Sequence, residues 1–166
     1  TAENLAFRPV STHLLPHYKD GLFELAFPEI VNYVDATFNT IPDKAHRAIA
    51  GLSMGGMHTL MITANYPDMF NYIGLYSAGV DFSHLNMEEV PAYANLDTKL
   101  TKLAQGDPNL CWIACGNEDW LLPANKRLME RMDKDGLKYT FHESPRGHLW
   151  CNWRQYSLLF IPQLFK

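Results

Sequence analysis

The sequence predicts an α/β fold, a mostly parallel sheet with flanking helices, and two observations carry this prediction. Short apolar runs alternate along the chain with stretches of helical periodicity, the pattern of parallel strands joined by crossover helices. The 166 residues, 47% of them hydrophobic and 19% charged, are also enough to bury one core. No linker or internal repeat divides the chain, so we expect residues 1–166 to form a single domain.

The first elements are an extended lead-in and an amphipathic helix. Residues 1–21 contain two prolines and show little periodicity. From Leu22 to Phe38 the apolar residues recur at spacings of three and four, which predicts a helix. Because Pro28 lies inside this pattern and proline is favoured in a first turn, the predicted helix begins near Phe27.

The rest of the chain alternates between short strands and helices, separated by turns rich in glycine, proline and aspartate. A long mixed segment, residues 78–108, interrupts this alternation and contains one short helix. The predicted strands are Arg47–Leu52, Tyr72–Ser77, Leu110–Cys115 and Lys138–Glu143, and the predicted helices are Met57–Asn65, Thr98–Ala104, Pro123–Lys134 and Trp150–Phe165.

The charge balance and the apolar runs exclude several classes of partner. Fourteen Lys and Arg against eighteen Asp and Glu give a net charge of −4, which argues against nucleic acid or an anionic membrane. No apolar run approaches the ~20 residues that span a bilayer. There is no signal peptide, and the chain opens on Thr1 rather than Met. We therefore expect a cut end, in a processed protein or a piece of a longer one.

The three cysteines form neither a disulfide framework nor a metal site. Cys111 and Cys115 fall in one apolar run, where a strand would separate them by ~13 Å, too far for a disulfide. We expect these two to be buried free thiols that pack as small hydrophobic groups. Together with Cys151 they leave the redox compartment open, and no His, Asp or Cys spacing suits a metal-ligand set.

The strongest chemical signal is Gly51-Leu52-Ser53-Met54-Gly55, a G-x-S-x-G sequence between a predicted strand and a predicted helix. A serine on a tight strand-to-helix turn projects its hydroxyl beyond the sheet, and the two glycines let neighbouring backbone approach without a Cβ clash. The following helix directs free N–H groups at the same place, the first of them from Met54, which suits an oxyanion. An ordinary glycine-rich turn is the alternative interpretation.

A nucleophilic serine needs a base, and the base needs an acid that orients it. In folds with this motif the chain order is Ser, then Asp or Glu, then His, and the active groups lie at the carboxyl ends of strands. Asp119 follows the third predicted strand and His148 follows the fourth, so both order and position fit. The sequence therefore predicts Ser53 as nucleophile, Asp119 as acid and His148 as base.

Other histidines and carboxylates remain as alternatives. Glu118 is adjacent to Asp119 but would point the other way, and Asp119 itself could be a solvated loop carboxylate or a helix cap. Asp81 is a further candidate acid. The remaining histidines precede the serine, lie one turn along its helix, or belong to the long loop or the last strand: His13, His17, His46, His58, His84 and His142.

Three segments resemble the esterase D-like family of α/β-hydrolases, which includes bacterial feruloyl and acetyl-xylan esterases. Residues 48–56 look like its serine elbow, and residues 112–116 followed by Asp119 look like its strand and acid. Residues 147–150 and 152–154 look like its histidine loop and last helix. The resemblance runs from about residue 23 to the end. It implies the same Ser53, His148 and Asp119 triad, an α/β-hydrolase sheet and no cofactor.

The chain departs from this family at its start. Members usually have ~250 residues or more, a length ordinary for one such domain. Here the upstream strands, and the loop that gives the second oxyanion N–H, have no counterpart, so we expect a fold truncated at the N-terminus. Losing one such donor typically costs ~10²–10³ in turnover, and missing strands leave an apolar edge uncovered. A non-catalytic hydrolase remnant therefore stays an alternative.

Aromatic residues near the predicted site suggest a surface for a planar acyl group or a sugar ring. Trp120 follows the acid, Trp150 follows the base by two residues, and Tyr76 ends the second strand, so we predict substrate contacts for these three. Packing of the last helix on the sheet is the expected role of Trp153, Phe160 and Phe165.

The resemblance also implies the activity and the partners. It predicts a serine carboxylesterase on feruloyl or acetyl esters of plant polysaccharide, secreted or periplasmic, with a carbohydrate or small-molecule ester as substrate and no nucleic-acid or membrane partner. Residues 80–95 lie where lids occur in this fold and would set the substrate. Enterobactin-type and S-formylglutathione-type esterases are alternatives, although the basic residues Arg8, Lys19, Arg146 and Arg154 are scattered. The oligomeric state is left open.

Overall fold

The computed structural model describes residues 20–83 and 86–166, which form one four-stranded sheet with helices on both faces. The strands are β1 (Ala48–Leu52), β2 (Tyr72–Tyr76), β3 (Leu110–Gly116) and β4 (Thr140–Ser144). The α-helices are α1 (Leu22–Thr37), α2 (Met54–Asn65), α3 (Leu96–Gln105), α4 (Leu122–Asp135) and α5 (Trp150–Phe160), with 3₁₀ turns at Lys44–His46, Met87–Glu89 and Ile161–Gln163.

All neighbouring strands are parallel, and the sheet order follows the chain order β1-β2-β3-β4. This confirms the predicted parallel α/β architecture. The register pairs Leu52 with Tyr76, Tyr76 with Ala114, and Gly116 with Ser144. The carboxyl ends of the strands therefore meet along one edge of the sheet, and the residues that follow them lie close together.

Each face of the sheet carries its own hydrophobic core. On one face α2, α3 and α4 pack over the strands, with α1 against α2. On the other face α5 packs across the sheet with aromatic side chains, and Phe160 is 2% exposed there, as predicted for this helix. The buried side chains of this second core are Tyr72, Tyr76, Trp112, Ala114, Tyr156 and Phe160.

The predicted start of α1 near Phe27 is wrong, because the helix already begins at Leu22 and carries Pro28 in its interior. Proline there removes one backbone hydrogen bond. Long-range contacts of the first turn offset that loss: Glu24 is fully buried and its carboxylate lies 2.6 Å from Nδ1 of His58 on α2. A contact between two helices cannot be recognised from the apolar periodicity of either helix.

Two other boundaries differ from the sequence prediction. Helix α2 begins at Met54 rather than Met57, directly after the serine of the motif. Helix α5 ends at Phe160 rather than Phe165, because Pro162 cannot supply the next helical N–H and the chain tightens into a 3₁₀ turn. Beyond it, the Phe165 ring contacts Tyr72 at 5.1 Å between centroids and remains 53% exposed.

Strand β1 lies at the edge of the described sheet, and an apolar groove of about 750 Å³ runs between its start and α1. The strand is only partly buried, in contrast with the fully buried β2. The groove is lined mainly by apolar side chains of α1 and β1, among them Phe27, Ile30, Val31, Val34 and Ile49.

Cys111 and Cys115 are buried free thiols, as predicted, and Cys151 is exposed. None of the described helices combines the length and the apolar character needed to cross a membrane.

Candidate active site

Ser53 occupies a strained turn between β1 and α2. Its backbone has φ 53° and ψ −119°, a conformation that a residue with a Cβ rarely adopts. Its N–H donates to the carbonyl of Tyr76 at 2.9 Å, and its own carbonyl accepts the Gly79 N–H at 2.7 Å. These bonds to the neighbouring strand and its loop hold the turn, so the hydroxyl projects at the carboxyl edge of the sheet.

Only the first of the two motif glycines is required by a close backbone approach. A Cβ on Gly51 would lie 2.1 Å from the Gly55 carbonyl oxygen, a distance no side chain can occupy. A Cβ on Gly55 would meet nothing within 4 Å, so the prediction that both glycines avoid a clash is wrong for Gly55. The second close approach comes from Gly56 instead, whose Cβ would lie 2.8 Å from that of Ala78.

His148 lies in the loop after β4, with Nε2 3.0 Å from the hydroxyl oxygen of Ser53. The side-chain amide of Asn152, buried in the first turn of α5, donates to the carbonyls of Pro145 and Gly147, both at 3.0 Å. Asn152 therefore clamps the loop on both sides of Arg146, which has φ 72°. Sequence alone predicts no separate role for Asn152, because a lone asparagine three residues into a helix carries no local signal.

Asp119 lies after β3 and contacts the imidazole of His148. Its two carboxylate oxygens are 3.0 and 3.2 Å from Nδ1 of His148. One of these oxygens, Oδ1, also accepts the backbone N–H of Leu121 at 2.9 Å. The Asp119 side chain is fully buried, and that of His148 is 19% exposed. Glu118 is exposed, as expected from the opposite direction of its side chain.

The three side chains are arranged for proton transfer. With the imidazole proton on Nδ1, facing the carboxylate, Nε2 has a free lone pair to accept the Ser53 hydroxyl proton. Met54 is the first residue of α2, and its N–H has no partner within the helix, which makes it available to a developing oxyanion. Such an arrangement suits nucleophilic attack by the serine on a carbonyl carbon.

The alternative histidines and acid lie elsewhere or make other contacts. His46 is exposed, with Nδ1 2.7 Å from the Asp43 carboxylate, and His58 is buried against Glu24. The carboxylate of Asp81 lies 3.8 Å from the guanidinium of an α4 arginine. His142 stacks on Trp112 at 5.8 Å, whereas His13, His17 and His84 lie outside the described residues.

Two indole rings contact the imidazole of His148. Trp120 lies 5.4 Å from the imidazole centroid, and Trp153 lies 4.8 Å from it on another side. Trp150 packs edge-on against Trp153 at 5.5 Å. Trp120 and Trp150 are 71% and 63% exposed, so their ring faces are open to a ligand beside the site.

Tyr76 is not part of this surface. Its side chain is 5% exposed and packs edge-on against Trp112 and Tyr156, inside the core beneath α5. Burial also raises the pKa of its hydroxyl to about 12. The predicted substrate contact at Tyr76 is therefore replaced by a core position: the side chain of the last residue of β2 points toward α5, away from the edge of the sheet.

Among the residues that the structure describes, no group of three or more His, Cys, Asp or Glu could hold a metal ion.

Comparison with known proteins finds esterases among the relatives of this chain. A protein of Xylanibacter ruminicola named endo-1,4-beta-xylanase/feruloyl esterase is 53% identical over 139 residues, 83% of this chain and 17% of the relative. An acetyl esterase of Caldicellulosiruptor saccharolyticus is 26% identical over 77% of this chain and 58% of its own length. The chain thus spans a small part of the first relative and little more than half of the second.

Solved structures show the same fold. A ferulic acid esterase from the anaerobic fungus Anaeromyces mucronatus superposes with a TM-score of 0.71, at 20% identity over 94% of this chain and 59% of that one. The sheet seen here is therefore α/β-hydrolase-like. The model of the family described as "Putative esterase" matches residues 16–160, a range that includes Ser53, Asp119 and His148. By this match the chain belongs to that esterase family.

Proposed function

We propose that this chain is a serine carboxylesterase that hydrolyses feruloyl or acetyl esters on plant polysaccharide. The observation that carries the proposal is the continuous contact from Ser53 Oγ through His148 to the Asp119 carboxylate, with 3.0 Å at each step. The strained serine turn adds to it, because such strain persists where the surrounding structure enforces it and clusters at active sites. Family membership supports the reaction class.

The proposed reaction has two halves. Ser53 attacks the ester carbonyl carbon while its proton passes to Nε2 of His148, and the oxyanion that forms accepts the Met54 N–H. The carbon–oxygen bond to the alcohol breaks, the alcohol takes the proton from His148, and an acyl-enzyme remains. Water then attacks the acyl carbon with the same base, which releases the carboxylic acid and restores the serine. Asp119 keeps the imidazole in the required tautomer throughout.

The open indole faces favour a planar acyl group or a sugar ring as part of the substrate. Trp120 lies 5.4 Å from the imidazole of His148 and is largely exposed. Trp150 is also largely exposed, and it packs against Trp153, which contacts the same imidazole. Aromatic rings and sugar rings both stack on such faces. The 53% identical relative is named for xylanase and feruloyl esterase activities, which supports plant polysaccharide as the source of the ester. A polymeric substrate of this kind lies outside the cell, so the proposal includes a secreted or periplasmic location.

The test is hydrolysis of p-nitrophenyl acetate and methyl ferulate by the wild type and by Ser53→Ala. We expect loss of nearly all turnover in Ser53→Ala, since the hydroxyl is the nucleophile. Thr140→Ala, which removes an exposed hydroxyl at the first residue of β4, on the opposite edge of the sheet from Ser53, serves as the control and should retain full activity. Equal rates for the wild type and Ser53→Ala would refute the proposal.

A fluorophosphonate probe separates the enzyme from a non-catalytic remnant. We expect covalent labelling of the pure folded chain on the peptide that contains Ser53, because the probe reacts with activated serines. Absence of labelling would favour the remnant. Acetylated xylan, S-formylglutathione and enterobactin, assayed beside methyl ferulate, distinguish the ester classes, and preference for either of the last two would contradict the polysaccharide assignment.

A further inference from the structure

An indole ring in the first turn of α5 is anchored beside the base. Trp153 donates its Nε1–H to the hydroxyl oxygen of Ser77 at 3.2 Å. Its ring lies 4.8 Å from the imidazole of His148 between centroids, and the two ring planes meet at 84°. The sequence predicts that Trp153 packs on the sheet, and the ring does pack against the second core. The contacts with Ser77 and His148 add a role beyond packing.

The acceptor of this bond is held by the sheet rather than by α5. Ser77 follows the last residue of β2, is 0% exposed, and has φ 44°, a conformation that a residue with a Cβ rarely adopts. Its backbone N–H donates to the carbonyl of Ala114 on β3 at 2.7 Å. Such strain persists where the surrounding structure enforces it. The position of the Ser77 hydroxyl is therefore set by the strands, and the indole is anchored to that position.

The same short loop, residues 76–79, also holds the nucleophile. The Ser53 N–H donates to the carbonyl of Tyr76 at 2.9 Å, and the Ser53 carbonyl accepts the N–H of Gly79 at 2.7 Å. Between these two contacts, Ser77 accepts the indole N–H. One loop therefore fixes both the turn that carries the hydroxyl and the ring that packs on the imidazole.

The other contacts of His148 leave the plane of its ring to be set by packing. The hydrogen bonds to Asp119 and Ser53 hold one ring atom each, Nδ1 and Nε2. Asn152 holds the backbone of the loop before His148. An edge-to-face aromatic contact has a preferred angle, and it restricts rotation of the imidazole. Trp120 also contacts this ring but is 71% exposed, whereas the indole of α5 is half-buried and anchored.

We propose that Trp153 is a positioning residue: its indole, anchored to the Ser77 hydroxyl, keeps the imidazole of His148 aligned with Ser53. This inference rests on the proposed triad. An indole N–H can only donate, and water does not reach the buried Ser77 to replace that donor. A base works only within hydrogen-bond reach of the proton that it takes. Loss of the anchor should therefore lower turnover and leave substrate binding unchanged.

The first variant, Ser77→Ala, removes the acceptor and keeps every aromatic ring. The measurements are the NMR resonances of the His148 ring protons, assigned by their absence in His148→Gln, and kcat and KM for p-nitrophenyl acetate. We expect the resonances to move, because the shielding of these protons by the indole depends on where the indole lies. We expect kcat to fall about 3- to 10-fold, as for loss of one hydrogen bond, with KM within about a factor of two.

The second variant, Trp153→Phe, keeps an aromatic ring beside the imidazole but has no N–H to donate. We expect a fall in kcat similar to that in Ser77→Ala. The double variant should lose no more than the larger of the two single losses, because each substitution removes the same bond.

Trp112→Phe is the matched control, since it makes the same replacement in the second core. Trp112 is 3% exposed and packs edge-on against Tyr76 and Tyr156. We expect this variant to lose thermal stability and to keep the wild-type kcat and His148 resonances. An unchanged kcat in Ser77→Ala, additive losses in the double variant, or an equal loss of kcat in Trp112→Phe would overturn the proposal.

The NMR measurement requires no turnover, so it separates this proposal from the proposed function. A wild type that hydrolyses no ester would refute the esterase assignment, and the resonances of Ser77→Ala would still show whether the anchor holds the indole against His148. An active wild type whose His148 resonances do not move in Ser77→Ala would refute only the positioning role. Should Ser77→Ala not fold, Trp153→Phe takes its place, and a kcat equal to that of Trp112→Phe would overturn the proposal.

Discussion

Replacement of Asp119 by asparagine tests the triad most sharply, because the structure dictates how the amide must orient. The Leu121 N–H donates to Oδ1 at 2.9 Å, so the amide oxygen of the substituted side chain would take this place. The amide nitrogen then occupies the position of Oδ2, 3.0 Å from Nδ1 of His148. Two donors would face each other there unless the imidazole moves its proton to Nε2.

The tautomer change removes the base. With a proton on Nε2, the imidazole donates to Ser53 across the 3.0 Å contact and cannot accept the hydroxyl proton. The analogous substitution in a serine protease triad lowers kcat about 10⁴-fold. We expect a loss of the same order here, which corresponds to about 5 kcal/mol in the barrier.

The assay is kcat and kcat/KM for p-nitrophenyl acetate, with thermal unfolding to confirm that the variant is folded. Glu118→Gln is the control, since it makes the same chemical change on the adjacent, exposed carboxylate and should leave kcat within about a factor of two. A folded Asp119→Asn variant that retains more than about a tenth of the wild-type kcat would refute the role assigned to Asp119.

Three further predictions use the same structure. Gly51→Ala should prevent soluble folding or abolish Ser53 labelling, whereas Gly55→Ala should leave thermal stability nearly unchanged, because only the first Cβ meets backbone, at 2.1 Å. Burial raises the pKa of the Cys111 thiol from 9.0 to about 12. The free energy of unfolding, measured by urea titration, should therefore have its full value below pH 9 and fall as the pH rises toward 12. This fall should be smaller in Cys111→Ala. Trp120→Ala should raise KM for methyl ferulate about 3- to 10-fold with little change in kcat, unlike Leu158→Ala on the exposed side of α5.

The strands and most helices could be predicted because their signals are local. The run Tyr72–Tyr76 is apolar, is bounded by turn residues and is buried on both faces, and the structure begins β2 at the predicted residue. The start of α1 could not be predicted in this way. Pro28 is a true local signal for a first turn, but the buried contact of Glu24 with His58 outweighs it, and that contact joins residues 34 positions apart.

The candidate triad could be predicted because its members follow strand ends, and parallel topology brings strand ends together. Ser53 and His148 are 95 residues apart in the chain and 3.0 Å apart in space. The support of the triad carried no comparable signal. Asn152 acts through hydrogen bonds to the backbone carbonyls of Pro145 and Gly147, and no local sequence pattern predicts such bonds.

The sheet geometry also explains why Cys115, rather than Cys111, is the thiol near the acid. Both lie on β3 at an even spacing of four, so their side chains point to the same face of the sheet. Cys111 pairs in register with Ile73 near the start of the strands, within the hydrophobic core. Cys115 lies one residue from the end of β3, where Ser77 follows β2 and Asp119 follows β3. Position along the strand therefore separates a thiol among apolar side chains from one near the polar residues Ser77 and Asp119. Exchange of Cys111 for serine should cost more stability than the same exchange at Cys115, because it leaves a hydroxyl among apolar side chains.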